Sequence, residues 1–95
     1  MTDHAVRPSE NVLVRRLTDG ESVLLNMTDE RYYGLNETGT RMWEALIGEG
    51  TVSGAHEVLV ELFDVDPTEL LNDLTEFVSE LEGAGLLLGE EVGRT

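Results

Sequence analysis

The side chains that most often act in catalysis are few and scattered in this chain. Its 95 residues include two histidines and no cysteine, which excludes thiol catalysis and zinc–thiolate binding. His4 and His56 are far apart, and neither has a second ligand at the spacing of a metal site, so each is interpreted as an exposed bystander. Carboxylate pairs are frequent among twenty acids, and no pair stands out as an acid–base couple. We therefore expect no enzyme activity, no metal and no cofactor.

A ladder of acids in the last third of the chain offers binding chemistry instead. No basic residue occurs between Pro67 and Glu82. Like charges four residues apart on a helix each cost a few tenths of a kcal/mol, so the pattern has a small energetic penalty. It is interpreted either as a solvated helix face or, in a second hypothesis, as a surface that meets a cationic segment. The ladder consists of Asp66, Glu69, Asp73, Glu76 and Glu80.

The net charge narrows the range of partners. The chain carries a formal charge of −14, and most of the excess acid lies after residue 35. Nucleic acids and anionic membranes attract cationic surfaces, so we expect neither as a partner, although acidity can also serve solubility alone. The N-terminus has no apolar signal region and no apolar run approaches the 18 residues needed to span a bilayer. The expected location is the cytoplasm.

The second candidate for binding is the segment from Arg31 to Leu35. It is predicted to be the third strand of a small sheet, followed directly by Asn36, which is well suited to cap a helix. Exposed sheet edges are usually blocked by charge or proline, and this one has only Arg31 before Tyr32 and Tyr33. Such an edge is suited to pairing with a strand from another chain.

Two earlier strands position that edge. A two-residue turn at Asp19-Gly20 predicts pairing of Val14 with Leu25 and makes one face of the hairpin the more apolar. That predicted core face carries Val12, Val14, Arg16, Val23, Leu25 and Met27. For the third strand, a three-residue loop places Tyr33 and Leu35 on the core face, which we favour because these groups fill a core better. A two-residue loop would place Tyr32 and Gly34 there instead.

Three helices are predicted after the sheet, over residues 37–47, 52–62 and from Pro67 to Gly83 or Gly85. Thr51 and Asp66 are the expected caps of the second and third helices. Residues 86–88 are expected to pack back on the domain. Residues 1–10 are predicted to be a disordered arm and residues 89–95 a loose tail, which leaves 11–88 as the domain. The predicted fold class is α+β, with an N-terminal three-stranded antiparallel sheet followed by three helices.

This order of elements and three local motifs resemble the PqqD-like family, the RiPP recognition elements of ribosomal peptide biosynthesis. The motifs are Tyr32-Tyr33-Gly34-Leu35-Asn36-Glu37-Thr38-Gly39, Met42-Trp43-Glu44 and Asp64-Val65-Asp66-Pro67. The resemblance covers about residues 11 to 88. It is closest to the free-standing, leader-binding half of the split B protein in lasso-peptide pathways.

The resemblance implies a winged-helix-like fold and a non-catalytic adaptor, which binds a precursor leader peptide as a strand added to the third strand, beside the third helix. The implied partners are that leader peptide, a leader peptidase of the cysteine-protease type and a cyclase. The strand would contribute Arg31, Tyr32, Tyr33, Gly34 and Leu35, and the helix Leu70, Asp73, Leu74, Glu76 and Phe77. Leu74 and Phe77 are expected to form an apolar pocket, with Asp73 and Glu76 at its rim. Leu70, Leu74 and Phe77 are equally compatible with plain core packing.

Three alternatives remain open from the sequence. One is a PqqD-type chaperone that presents a precursor peptide to a radical-SAM enzyme in pyrroloquinoline quinone biosynthesis or a related pathway. A more distant one is a winged-helix DNA-binding regulator, which the absence of basic residues from the predicted third helix disfavours. The last is a dimerisation module that pairs through the same strand edge.

Overall fold

The computed structural model describes the backbone of residues 2–93 and the side chains of residues 4–90. Its elements form two antiparallel sheets and three helices, which confirms the predicted α+β class with a three-stranded sheet, β2-β3-β4, before the helices. The strands are β1 (Thr2–Pro8), β2 (Val12–Arg16), β3 (Ser22–Asn26), β4 (Arg31–Leu35) and β5 (Leu87–Gly93), and the helices are α1 (Glu37–Glu49), α2 (Val52–Leu62) and α3 (Pro67–Gly83).

Each helix begins at the side-chain cap expected from its sequence. Asn36 accepts a hydrogen bond from the backbone N–H of Gly39, and Thr51 accepts one from Gly54. Asp66 accepts one from Thr68, with Pro67 in the first turn of α3. These caps satisfy backbone donors that have no partner inside the helix. The predicted bounds of α2 and the start of α3 are confirmed, and α1 extends two residues beyond its predicted end.

The core lies where the three helices meet the inner face of the three-stranded sheet. Leu24 from β3 and Leu35 from β4 are buried there against α1 and α3 side chains. As predicted, Leu86 and Leu87 pack back onto this core, whereas Leu88 remains partly exposed. The fully buried large side chains are Leu24, Leu46, Leu59, Leu74, Leu81, Leu86 and Leu87.

The predicted register of the first hairpin is wrong by one residue. Val14 pairs with Leu24 rather than Leu25, because the loop contains three residues, 18–20, with Gly20 in the left-handed conformation at φ +79°. The buried face of β3 is therefore made by Ser22, Leu24 and Asn26, not by the predicted Val23 and Leu25. Val14, also predicted in the core, is exposed.

Hydrogen bonds explain why the less apolar face of β3 is buried. The Ser22 hydroxyl lies 2.8 Å from the Thr40 hydroxyl on α1, so both buried groups are paired. The Asn26 side chain donates to the carbonyl of Ala84 beyond α3 and accepts from the N–H of Thr28. Buried polar groups that are paired in this way cost little, and counting apolar residues alone therefore selected the wrong face of this strand.

The favoured orientation of β4 is confirmed despite that error. Leu35 is buried and Tyr33 packs against the core, whereas Tyr32 is 76% exposed on the opposite face. Asn26 pairs with Arg31, which leaves a four-residue loop, 27–30, instead of the predicted three. The two one-residue errors cancel. The shift in the pairing of β3 turns its other face to the core, and the extra residue in the loop before β4 compensates, so β4 keeps its predicted orientation.

The terminal segments form a second sheet, which corrects the predicted arm and tail. β1 pairs with β5 from Thr2 opposite Gly93 to Pro8 opposite Leu87, and Val6 buries its side chain. The N–H of Val6 also donates to the carbonyl of Gly50. The pairing joins segments about eighty residues apart, and neither is apolar enough to signal a strand alone. Of the predicted arm and tail, Met1, Arg94 and Thr95 lie outside the described residues.

Candidate functional site

The free edge of β4 is the starting point of the site. The sheet order β2-β3-β4 leaves one side of this strand without a partner among the described residues. The strand ends at Leu35, and the cap at Asn36 turns the chain at once into α1. The edge is therefore one short strand long, with the first turn of α1 at its end.

A cleft of about 380 Å³ lies between β4 and α3, and we call it the β4–α3 cleft. Its apolar lining includes Leu35 of β4, Met42 of α1 and Phe77 of α3, and Phe77 is half-buried. Its lining contains three carboxylates and no basic side chain, so the cleft favours cationic or hydrogen-bond-donating groups. The lining residues are Tyr33, Gly34, Leu35, Asn36, Thr38, Gly39, Met42, Asp73, Glu76, Phe77 and Glu80.

One hydrogen bond joins the two walls of the cleft. The Tyr33 hydroxyl donates to Oε1 of Glu80 at 2.7 Å, from β4 to α3. This bond raises the pKa of Tyr33 above its ordinary value of 10.0, with smaller contributions from burial and from the charge of Glu80. The phenol is therefore neutral and a donor at physiological pH, and the bond lies in solvent-accessible surroundings.

The structure brings together six of the ten residues predicted for the site. Tyr33, Gly34 and Leu35 line one wall, and Asp73, Glu76 and Phe77 line the other. The alternation of β4 directs Tyr33 and Leu35 toward the cleft, and the helical repeat of α3 directs Asp73, Glu76 and Phe77 there. Gly34 lies between the two strand residues, at the free edge of β4.

The other four predicted residues do not line the cleft. Leu74 is completely buried in the core, so its predicted contribution to an apolar pocket is replaced by that of Met42. Leu70 is also buried. Arg31 is exposed near Asp29, and the Tyr32 side chain lies on the outer face of the sheet. The backbone of these two residues still belongs to the free edge.

Sequence reasoning missed five of the lining residues. Asn36, Thr38, Gly39 and Met42 enter the cleft because α1 starts immediately after β4 and closes the end of the strand. Glu80 was identified as part of the acidic ladder, but its pairing with Tyr33 depends on the tertiary approach of α3 to β4. The direct junction between β4 and α1 was therefore the sequence signal that could have identified the four residues from α1 and its cap.

A second recess of about 350 Å³ continues the cleft toward α2. The two share Thr38, Met42 and Asp73, and the recess adds Phe63 and the exposed Leu62. A ligand that runs along β4 can therefore continue past the start of α1 onto a more apolar surface.

The described side chains offer no group of three or more His, Asp or Glu residues that could hold a metal ion. His4 lies 2.6 Å from a carboxylate oxygen of Glu82, and His56 contacts the carbonyl of Pro67. Each histidine therefore has a local structural partner. Within residues 2–93, no helix is long and apolar enough to cross a membrane.

The fold and the cleft define a small domain with an open strand edge beside a helix, and comparison with known proteins assigns it to a family. The chain belongs to the PqqD family, because the family model for coenzyme PQQ synthesis protein D (PqqD) matches residues 21–87. This span includes the β4 edge and both walls of the cleft.

Two solved structures have the same fold. A structure of TbiB1 in complex with the TbiA(beta) leader peptide is 27% identical, with a TM-score of 0.79, over 85% of this chain and 93% of that one. A structure of lasso peptide synthetase B1 complexed with the leader peptide is 23% identical, with a TM-score of 0.78, over 88% of this chain and 98% of that one. No curated protein matches the chain.

Proposed function

We propose that this chain is a leader-peptide adaptor that binds the leader of a ribosomally made precursor, of the lasso-peptide class, as a fourth strand on β4. The observation that carries the proposal is the free β4 edge beside a cleft lined on the other side by α3. It is supported by the likeness to TbiB1, which was solved with a leader peptide.

The backbone of Arg31–Leu35 supplies the pairing surface. Main-chain hydrogen bonds give such a complex affinity that does not depend on sequence, and alternate guest side chains then project into the cleft. There, Met42 and Phe77 offer apolar contact, while Asp73 and Glu76 accept hydrogen bonds from a basic group or a tyrosine hydroxyl of the leader. The adaptor thus reads both shape and charge.

The bond between Tyr33 and Glu80 adds a gate at one end of the proposed binding surface. It spans the two walls, so a bulky guest side chain must pass beside it or displace it. Breaking this hydrogen bond costs the folded state little free energy, because the pair is exposed to water. A hydroxyl or basic group of the guest can therefore replace one of the two partners at a small free-energy cost.

The adaptor then delivers the leader to a partner leader peptidase of the cysteine-protease type, and the precursor continues to a cyclase. Binding without catalysis is supported by the make-up of the site, which offers strand backbone, apolar groups and carboxylates. The alternative is that this chain presents a precursor peptide to a radical-SAM enzyme in pyrroloquinoline quinone biosynthesis or a related pathway, which uses the same family of domain. The likeness to TbiB1 supports leader-peptide binding, and the lasso-peptide assignment is supported by the motif at residues 32–39, which most resembles the split B protein of lasso-peptide pathways.

Fluorescence polarisation with a labelled leader tests the proposal directly. The probe is a synthetic precursor leader chosen from the gene neighbourhood of this chain, and it should bind at micromolar protein. Phe77→Ala should weaken binding about tenfold or more, equivalent to about 1.4 kcal/mol, because it removes an apolar wall of the cleft. Leu71→Ala is the matched control, since Leu71 is on the same helix, partly exposed and outside the cleft lining.

A leader that stays unbound at micromolar wild-type protein would refute the adaptor function. Far-UV circular dichroism of both variants accompanies the titration, because Phe77 also packs against the core. Retained helicity with weakened binding assigns Phe77 to the cleft. Collapse of the fold would instead make it a core residue, and Asp73→Asn would then report on the cleft.

A further inference from the structure

The sheet formed by β1 and β5, which we call the terminal sheet, packs against the side of α3 that faces away from the cleft. Val6 and Leu87 lie on one face of the terminal sheet and are buried, and β5 contacts α3. All of this sheet except Leu87 lies outside residues 21–87, the span that the PqqD family model matches. Its role therefore follows from contacts within this chain.

The C-terminal half of α3 has open space on two opposite sides. Phe77 and Glu80 line the β4–α3 cleft. Ser79 and Glu82, each two residues further along, line a recess of about 300 Å³. Two residues correspond to about 200° around a helix, so the recess lies nearly opposite the cleft. The core holds α3 on a third side, and movement toward or away from β4 is therefore limited mainly by contacts at the end of the helix.

Polar contacts hold that end from both sides. Glu80 accepts a hydrogen bond from the Tyr33 hydroxyl of β4 at 2.7 Å. On the other side, the carboxylate of Glu82 lies 2.6 Å from Nε2 of His4 on β1. The His4 and Glu82 side chains are only 33% and 31% exposed, so water weakens this pair less than it weakens the exposed bond of Tyr33. A guest that displaces the Tyr33 bond leaves the His4 contact in place.

Gly89 of β5 makes room for the pair. A methyl group at residue 89 would overlap both the carboxylate of Glu82 and the imidazole of His4. The backbone of Gly89 is not among those in the left-handed conformation, so its φ does not require glycine. Glycine inside a strand often marks the close approach of another group. Here the approaching group is the His4–Glu82 pair.

We propose that the terminal sheet fixes the width of the β4–α3 cleft, with His4 and Glu82 as positioning residues for leader binding. This inference rests on the proposed function. The pair holds α3 at the distance from β4 that the leader requires, so leader binding does not have to order the helix. Without the pair, α3 relaxes into the recess behind it, and the widened cleft contacts the leader less closely.

Three variants test the pair, and a fourth is the control. His4→Leu removes the imidazole, and Gly89→Ala forces the pair apart while leaving both partners in the chain. Glu82→Gln keeps an acceptor for the imidazole N–H and should rescue the contact. Arg7→Leu is the matched control, because Arg7 is exposed on the other face of the same strand.

Polarisation with the labelled leader should show affinity about fivefold weaker for His4→Leu and for Gly89→Ala, the loss expected for one hydrogen bond. Glu82→Gln and Arg7→Leu should stay within about twofold of the wild type. The double variant His4→Leu/Gly89→Ala should bind no more weakly than either single variant, because both changes break one contact.

The titration of Tyr33 without leader is the second readout, taken as the absorbance difference from the matching Tyr33→Phe protein. A displaced α3 loosens the bond between Tyr33 and Glu80, so the pKa of Tyr33 should fall toward 10.0 in His4→Leu and Gly89→Ala. A general loss of stability would not move this value in a protein that remains folded. Far-UV circular dichroism checks the fold, and if His4→Leu unfolds, the comparison of Gly89→Ala with Glu82→Gln decides.

Wild-type leader affinity in His4→Leu and Gly89→Ala would overturn the inference and leave the adaptor function intact. Weakened binding with an unchanged Tyr33 titration would also overturn it, because α3 would then not have moved. Absence of leader binding in the wild type would instead remove the proposed function, and the titration alone would then decide whether the pair positions α3.

Discussion

Tyr33 is the residue whose placement decides the chemistry of the cleft. Its side chain faces α3 and its hydroxyl donates to Glu80, while the neighbouring Tyr32 faces away. Two adjacent tyrosines in one strand therefore have separate roles, one in the cleft and one on the outer face. The sequence favoured this arrangement only on the ground that large apolar groups fill a core.

The phenol of Tyr33 should titrate above its ordinary pKa of 10.0 because its neutral form donates to Glu80. A raised folded-state pKa means that the bond contributes stability at neutral pH and loses it as pH rises through the folded-state value. The difference in ultraviolet absorbance between wild type and Tyr33→Phe measures this titration. In a Glu80→Gln background the pKa should fall back toward 10. An unchanged value there would show that the carboxylate is not the cause.

The register error also belongs to the residue scale. Ser22 and Asn26 are polar, yet they are buried because Thr40 and the carbonyl of Ala84 supply hydrogen-bond partners. Those partners lie 18 and 58 positions away in sequence, and no local pattern reveals them. Val23 and Leu25, which were predicted for the core, therefore lie on the face of the sheet that points away from the helices.

At the scale of elements, the caps carried most of the predictive information. Asn36, Thr51 and Asp66 each begin the helix expected of them, because capping is a local interaction between residues two or three positions apart. The β4 edge was predicted for the same reason, since Asn36 ends the strand. The meeting of α3 with β4, by contrast, depends on tertiary packing, and the lining of the cleft could be predicted only in part.

Asn36→Ala should lower the free energy of unfolding by about 1 kcal/mol, since it removes the acceptor for the N–H of Gly39. Urea denaturation measures the loss. Asn36→Asp is the control, because aspartate accepts the same bond and should retain nearly all of the stability. Equal losses in the two variants would show that the capping bond is not what Asn36 contributes.

At the scale of the whole molecule, the dominant property is a formal charge of −14 on 95 residues. Only four salt bridges are recorded among the described side chains, and one of them involves His4. Most of the described carboxylates therefore lie outside these ion pairs, and the acidic chain repels itself. The second sheet, built from both ends of the chain, is the other whole-molecule feature, and its long-range pairing is the part of the fold that sequence reasoning missed entirely.

Raising the salt concentration from about 10 mM to about 500 mM should increase the thermal midpoint of unfolding, because the Debye length falls and the self-repulsion is screened. Calorimetry measures the midpoint. The same change should weaken binding of a cationic leader if the carboxylates of the cleft take part. A midpoint that falls with salt would mean that the recorded ion pairs outweigh the repulsion. A leader affinity that does not change with salt would show that the carboxylates of the cleft do not contribute to leader binding.

Strand addition to β4 is the central claim, and hydrogen exchange followed residue by residue by NMR tests it most directly. Alternate backbone N–H groups of Arg31–Leu35 point to the free edge and should exchange slowly only after the leader is added. The amides of β2, at the other edge of the same sheet, serve as the internal control and should be unchanged. Protection confined to β4 and the cleft wall of α3 is the predicted result. A bound leader that leaves β4 exchange unchanged, or that protects β2 instead, would contradict the account.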